Sequence, residues 1–204
     1  MLRVGVCISG QGSLVPPLLH AAQEGTQEGK QKETEKGAFK VNCVIADRPY
    51  APGLSSEWAS SVETMCIDRR FHQGKPEDLS DTLLNILRPR ADVIVLAGFL
   101  SILQGSILEE YKGRILNIHP SLLPKFGGKG MYGIHVHRAV VSSGEQESGC
   151  TVHHVTPGID TGPVILQQKV SLSTDETPES LRHKIHQIEA PTLISALHKI
   201  GGYG

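Results

Sequence analysis

The sequence predicts an α/β fold: a mostly parallel, twisted sheet with an antiparallel extension and helices on both faces. Three observations predict it. Through the first half, short apolar runs alternate with segments of helical periodicity, the pattern of βαβ units. Ala91 to Ala97 (ADVIVLA) is a near-continuous apolar run, as a strand buried on both faces requires. The second half loses the alternation, and its two strand-like runs, Gly149 to Val155 and Pro163 to Leu172, read as the antiparallel extension.

In order, Leu2 to Ile8 is a first strand that ends in the turn Ser9-Gly10-Gln11-Gly12-Ser13. Leu14 to Ala22 follows as a helix, its start limited by Pro16 and Pro17. Gln23 to Gly37 has no aliphatic residue to dock on a core and reads as a mobile surface loop. Val41 to Ala46 is a second strand, Gly53 to Ser61 a short helix and Val62 to Ile67 a third strand. Pro76 opens a helix to Leu87, with Leu79, Leu83, Ile86 and Leu87 at helical spacing. Gly113 to Ile118 is a strand that stops at His119-Pro120; a loop with Gly127, Gly128, Gly130 and Gly133 precedes a helix over His135 to Ser142. Thr177-Pro178 reads as an N-cap and first helical residue of a terminal helix carrying Leu181, Ile185 and Ile188, which Pro191 should kink or interrupt.

A chain of 204 residues suits one domain, 1–204. Its net charge of −1 gives no reason to expect a nucleic acid or an anionic membrane as partner. No apolar run is long enough to span a bilayer, and the apolar start is too short for a signal peptide, so a cytoplasmic location is expected. Cys7, Cys43, Cys66 and Cys150 form no CxxC pair, and each sits in a strand-like apolar run; buried free thiols are expected.

The glycine turn after the first strand can offer backbone N–H groups to an anion, with Ser13 adding a hydroxyl and the next helix its positive end. It lacks the third glycine of a dinucleotide fingerprint, Val15 standing there, and it lacks the Walker lysine. A plain strand-to-helix turn explains it equally well.

The strongest string is Leu116-Asn117-Ile118-His119-Pro120-Ser121-Leu122-Leu123-Pro124. Side chains alternate along a strand, so Asn117 and His119 share a face, and Pro120 keeps His119 extended. A second string, from Gly149 to Pro163, presents Asp160 between turn-forming residues. Alone, Asp160 is a turn cap and His119 a structural histidine. Together, an amide donor, an imidazole and a carboxylate suit acyl transfer to an amine: donors for an oxyanion, and groups to move the amine's proton. Ser121 is in no nucleophile elbow, so no acyl-enzyme is required. His135-x-His137 and His153-His154 raise a metal reading, but neighbouring strand residues point apart and no zinc-spaced set accompanies them; no metal is expected.

With those strings in hand, the chain resembles the folate-dependent phosphoribosylglycinamide formyltransferase family. Ile8 to Ser13, Val95 to Leu103, Asn117 to Pro124 and Thr151 to Pro163 match in family order over nearly the whole chain. The resemblance implies a Rossmann-like formyltransferase fold, with a nucleotide-binding half over 1–100 and a folate and catalytic half over 101–204. It implies transfer of a formyl group from 10-formyltetrahydrofolate to glycinamide ribonucleotide in purine biosynthesis. By this likeness Asn117, His119 and Asp160 are catalytic, Gly12 and Ser13 hold the phosphate, and Glu189 contacts the ribose. Phe99, Leu100, Ser101, Ile102 and Leu103, with Val155, Thr156 and Ile159, line the folate pocket. A homodimer is compatible with it.

Three positions depart from the family: Leu14 stands where asparagine is usual, Ser101 where many members carry arginine, and Ala190-Pro191 where a histidine-bearing stretch follows the glutamate. Rival readings are a formyltetrahydrofolate hydrolase with the same trio, and an impaired folate- or nucleotide-binding homologue. Hydrolase relatives carry an added N-terminal regulatory domain, and transfer-RNA formyltransferases a C-terminal one; neither is expected beside this chain.

Overall fold

The computed structural model describes residues 1–24, 39–72 and 76–202. The chain divides into two compact units, Met1–Leu116 with Leu197–Gly204, and Asn117–Ala196. The strands hydrogen-bond in the order β3-β2-β1-β4-β5-β6-β7, with the ranges given below.

In the first unit the sheet grows outward from β1 (Leu2–Ile8). It pairs in parallel with β2 (Phe39–Ala46) on one side and with β4 (Val93–Leu96) on the other. β3 (Glu63–Cys66) adds a parallel edge to β2. Val6, Cys7, Ile8, Val44, Ile45, Ile94 and Val95 are fully enclosed, as the continuous apolar runs require. The chain order reverses direction between β1 and β4, the place where open α/β sheets leave a crevice beyond their carboxyl ends. There the Ser9 N–H donates to Gly98 O (3.2 Å), and the Leu100 N–H donates to Ser9 Oγ (2.8 Å).

The helices of this unit are α1 (Val15–Glu24), α2 (Pro76–Leu87) and α3 (Ser106–Glu110). α2 buries Leu79, Leu83, Leu84 and Leu87, and it carries Glu77 and Asp78 in its first turn, where the helix dipole favours acids. α1 runs through Gln23 and Glu24, which the sequence assigns to the polar loop. The rest of that expected mobile loop lies outside the described residues. The helix expected over Gly53 to Ser61 is two 3-10 turns, Pro52–Ser55 and Glu57–Ser61. The cause is local: Ser56 is extended and closes the first turn, its N–H donating to Gly53 O (3.1 Å). Cys7, Cys43 and Cys150 are buried free thiols, but Cys66 is exposed. It ends the four-residue edge strand β3, which among the described residues has no strand on its outer side.

β5 (Ile115–His119) crosses from the first unit into the second, which holds α4 (Ile134–Ser142), β6 (Glu147–His154) and β7 (Val164–Ser171). β6 and β7 pair antiparallel, with a register shift between Val152 and His153. α5 spans Pro178–Ile200. Thr177 caps it, accepting the Ser180 N–H on Oγ1 (3.1 Å). Pro191 does not interrupt this helix. Pro191 and Gln187 are both exposed, so the carbonyl that the proline leaves without a donor can turn to water. Leu181, Ile185, Leu193, Ala196 and Leu197 are buried on either side of it and hold the helix in place.

Gly149 in β6 admits no side chain, because a Cβ there would lie 2.0 Å from the Gln168 carbonyl oxygen of β7. Backbone in a paired strand cannot yield as a flexible side chain can. Gly149→Ala should therefore lower the unfolding free energy by about 2 kcal/mol or more in a denaturant titration; an unchanged midpoint would show that the pairing tolerates the methyl group.

Candidate active site

β5 ends by presenting Asn117 and His119, two residues apart on one face, and a turn after β6 presents Asp160. All three lie in the second unit. Asp160 occupies the left-handed region at φ 56°, an uncommon conformation for a residue with a side chain. Its carboxylate is 11% exposed. The Gly128 N–H donates to Oδ2 (2.9 Å), His119 Nδ1 lies 3.5 Å from Oδ2, and Asn117 Nδ2 lies 3.5 Å from Oδ1. The amide, the imidazole and the carboxylate thus meet as the sequence pattern anticipates.

Backbone carbonyls fix the protons of His119 and His153. His119 Nε2 lies 2.8 Å from Phe126 O, which can only accept, so the proton sits on Nε2. The remaining nitrogen, Nδ1, faces the Asp160 carboxylate as a lone pair, and a proton reaching it would be held between imidazole and carboxylate. His153 is fixed in the opposite tautomer: its Nδ1 donates to His154 O (2.9 Å), and its Nε2 accepts from Asn117 Nδ2 (3.1 Å). That bond decides which end of the Asn117 amide points at Asp160. Burial pushes the Asp160 carboxyl up, but the His153 ring, the Gly128 N–H and His119 outweigh it and hold the group below its usual range. Burial lowers His119, and the charge of Asp160 only partly offsets it.

The corner after β5 is held by one hydroxyl. Thr151 Oγ1 donates to Ser121 O (2.6 Å) and accepts from the Leu123 N–H (3.1 Å) and from Gln167 Nε2 (2.9 Å). Thr151, Gln167, Phe126 and Gly128 carry no chemistry of their own, and the sequence reading gave them no role. Only Gly128, in the glycine-rich loop, left a signal that could have been followed.

In the first unit the glycine turn is shaped by packing. Gly12 has φ 63°, and a Cβ there would meet the Trp58 ring at 2.9 Å, so glycine is required. Ser13 is exposed, while Leu14 is 5% exposed and belongs to the core. The first turn of α1 offers no spare donor: the Val15 N–H is bonded to Gly12 O (2.9 Å), Pro16 and Pro17 have none, and the Leu18 N–H bonds Leu14 O. An anion at this turn would rely on the N–H groups of the loop itself.

The sequence profile described as formyl transferase matches residues 2–197. The chain belongs to the formyl transferase family. Among relatives of this formyl transferase, phosphoribosylglycinamide formyltransferase, chloroplastic, of Arabidopsis thaliana is 44% identical over 184 residues, covering 90% of this chain and 60% of that protein. The trifunctional purine biosynthetic protein adenosine-3 of Drosophila melanogaster is 35% identical over 92% of this chain and 13% of its own length. The chain therefore spans less than two thirds of either protein. Among solved structures, glycinamide ribonucleotide transformylase 1 of Symbiobacterium toebii superposes with a TM-score of 0.83 at 33% identity, covering 99% of this chain and 88% of that one. Phosphoribosylglycinamide formyltransferase of Anaplasma phagocytophilum gives 0.82 at 32% identity, covering 98% and 87%. The fold is thus the Rossmann-like one of these enzymes.

The other residues that the formyl transferase resemblance singles out are placed as follows. After β4, Phe99 and Leu103 turn inward, whereas Leu100 and Ile102 are 42% and 52% exposed. Ser101 Oγ donates to Asp47 Oδ2 (2.6 Å). In the second unit Val155 and Thr156 are half-buried, and Ile159 is 40% exposed. Glu189 pairs with His186 Nδ1 (3.1 Å), and its charge reaches His119 and His137. His135 is exposed while His137 is buried, so the two do not share a ligand position. Among the described residues, no group of three or more His, Cys, Asp or Glu is placed to hold a metal ion, and no helix is long and apolar enough to cross a membrane.

His119, His137 and His154 all lie below the ordinary histidine range, chiefly through burial. A folded pKa below the unfolded one means that the unfolded chain binds more protons in that window. Their contribution to stability is complete above about pH 6.5 and is lost as pH falls towards the folded values. His186 is raised by Glu189 and acts in the opposite sense, but it is half exposed. Unfolding free energy should therefore climb with pH from about 5 to 7. His137 is faced by Glu189, Arg182 and His119, and its Nδ1 has no hydrogen-bond partner; His137→Phe should flatten the climb, and an unaltered slope would remove His137 from its cause.

Proposed function

We propose that this chain transfers a formyl group from 10-formyltetrahydrofolate to the amine of glycinamide ribonucleotide, a step of purine biosynthesis. The observation that carries the reading is the meeting of Asn117, His119 and Asp160 in one buried network. Family membership and the names of the relatives support formyl transfer and the amine substrate.

The amine attacks the formyl carbon and forms a tetrahedral oxyanion. An Asn117 amide hydrogen is the donor nearest to that role, since its contact with Asp160 is a long 3.5 Å and can be exchanged. His119 Nε2–H is already given to Phe126 O, so this ring works through Nδ1. The proton released by the attacking amine passes to Nδ1, with the carboxylate of Asp160 stabilising the imidazolium. The same proton then returns to the leaving nitrogen of the folate, and formamide product and tetrahydrofolate separate with no acyl-enzyme. In this reading Gly12 and Ser13 hold the phosphate and Glu189 the ribose. Phe99 to Leu103, with Val155, Thr156 and Ile159, line the folate pocket. The domain is single, the partners are small molecules with neither nucleic acid nor membrane, no metal takes part, a homodimer is compatible, and the cytoplasm is the site of action.

Tetrahydrofolate release, measured with and without glycinamide ribonucleotide, tests this. Release only with the amine present is the expected result; equal release without it would replace the transferase by a hydrolase. Asp160→Asn should fold normally and turn over about a hundredfold more slowly or worse. Near-normal turnover in that variant would take the carboxylate out of the mechanism.

A further inference from the structure

We propose that the carboxyl end of β2 carries an additional anion subsite, in which the guanidinium groups of Arg48 and Arg69 take a carboxylate or a phosphate of one of the two substrates. The ligand's identity rests on the function proposed above; the subsite itself rests on the first unit alone.

Asp47 follows β2, and its carboxylate is 1% exposed. Its N–H donates to Ile8 O (3.2 Å), and its C=O accepts the Arg69 N–H (3.1 Å), so the backbone of Arg69 is tied to it. Ser101 Oγ supplies the hydrogen bond to Oδ2 (2.6 Å). Arg69 Nη1 stays 3.7 Å from Oδ2, and Arg48 Nε stays 3.9 Å from Oδ1. At these separations the charges attract, but no hydrogen bond forms. Asp47 Oδ1 and Arg48 Nε are both enclosed and without a hydrogen-bond partner. Two cations thus share one carboxylate, leaving an excess of one positive charge.

The other arginines of this unit are spoken for. Arg3 donates to Asp92, Arg70 to Asp68, Arg88 to Glu110, Arg90 to Glu63, and Arg114 to backbone carbonyls. Among the described residues only Arg48 and Arg69 of this unit keep their guanidinium donors free of hydrogen bonds, with side chains 40% and 39% exposed. A guanidinium carries a planar fork of donors matched to carboxylate and phosphate oxygens. Position decides what the fork is for. Gly53, shortly after Arg48, donates to Gly10 O in the glycine turn, and Ser101 follows β4. The pair therefore lies at the carboxyl edge of the sheet, where ligands of such folds bind. The glycine turn that Gly53 touches leads into a helix whose first turn has no N–H to spare. With an arginine in place of Ser101, a third guanidinium would compete for Asp47; serine holds the carboxylate and leaves both forks open.

The test uses the full chain, with Arg48→Gln, Arg69→Gln and the double variant, each checked by its melting curve. Inorganic phosphate and L-glutamate are titrated separately by calorimetry, and KM is measured for both substrates. The double variant should lose the probe that the wild type binds. It should also raise one KM by about tenfold or more, with kcat nearly unchanged. A rise for the folate identifies a carboxylate as the anion, and a rise for the ribonucleotide identifies the phosphate. Ser101→Ala, which frees Asp47 to bond the arginines directly, should weaken the probe in the same titration. Wild-type probe affinity and both KM values retained in the double variant would overturn the subsite, as would a wild type that binds neither probe. The titration reads without turnover, so a failed formyl-transfer assay would sink the function without deciding the subsite.

Discussion

A carboxylate kept almost out of water is the constraint around which the second unit is built. Asp160 would be expensive to bury as an ion unless donors met it, and the chain supplies them from several segments. The glycine-rich loop gives the Gly128 N–H and β5 the Asn117 amide, while the His119 and His153 rings stand 3.5 and 3.7 Å from the carboxylate. Each of these side chains is set by a further contact: His119 by the Phe126 carbonyl, Asn117 by His153, and His153 by the His154 carbonyl. Thr151 pins the corner that carries His119. The left-handed backbone at Asp160 and Phe126 is strain that these contacts over-determine.

Much of this was legible in the sequence, for definable reasons. Strands β1 and β4 are sandwiched between layers, so their runs are apolar without a break and easy to recognise. Asn117 and His119 follow from two-residue alternation. Asp160 follows only when its turn is read alongside the earlier string, because nothing local separates a reactive carboxylate from a turn cap. What stayed hidden was backbone chemistry. A carbonyl that fixes a tautomer, such as Phe126 O, leaves no residue-type signal at all. Pro191 was legible as a helix breaker but not as a harmless one, since that depends on which face of α5 meets water. Cys66 looked buried by its neighbours' character, and is exposed because β3 lies at the sheet's edge.

The glycine turn of the first unit shows how the same string can mean less than its pattern. Packing demands Gly12, through the Trp58 ring, and also Gly53, which lies against Ile8 and the Gln11 carbonyl of the turn. The two prolines that start α1 remove the donors that make a helix end attractive to anions. Leu14 has moved into the core, where it contributes burial of roughly 2 kcal/mol and no polar contact. Charge for any anion here must come from side chains.

The two outermost strands end the sheet in different ways. β3 is four residues long, and Glu63 at its start is tied to Arg90. β7 is longer, but Gln167, Gln168 and Lys169 are exposed along it, and Lys169 is paired with Glu147 of the neighbouring strand. A newcomer strand laying itself along either border would find too few rungs on one side, and polar or charged groups to strip of water on the other. The borders that complete the sheet thus also discourage stacking of copies into fibres, a safeguard that needs no residue from the chemical centre.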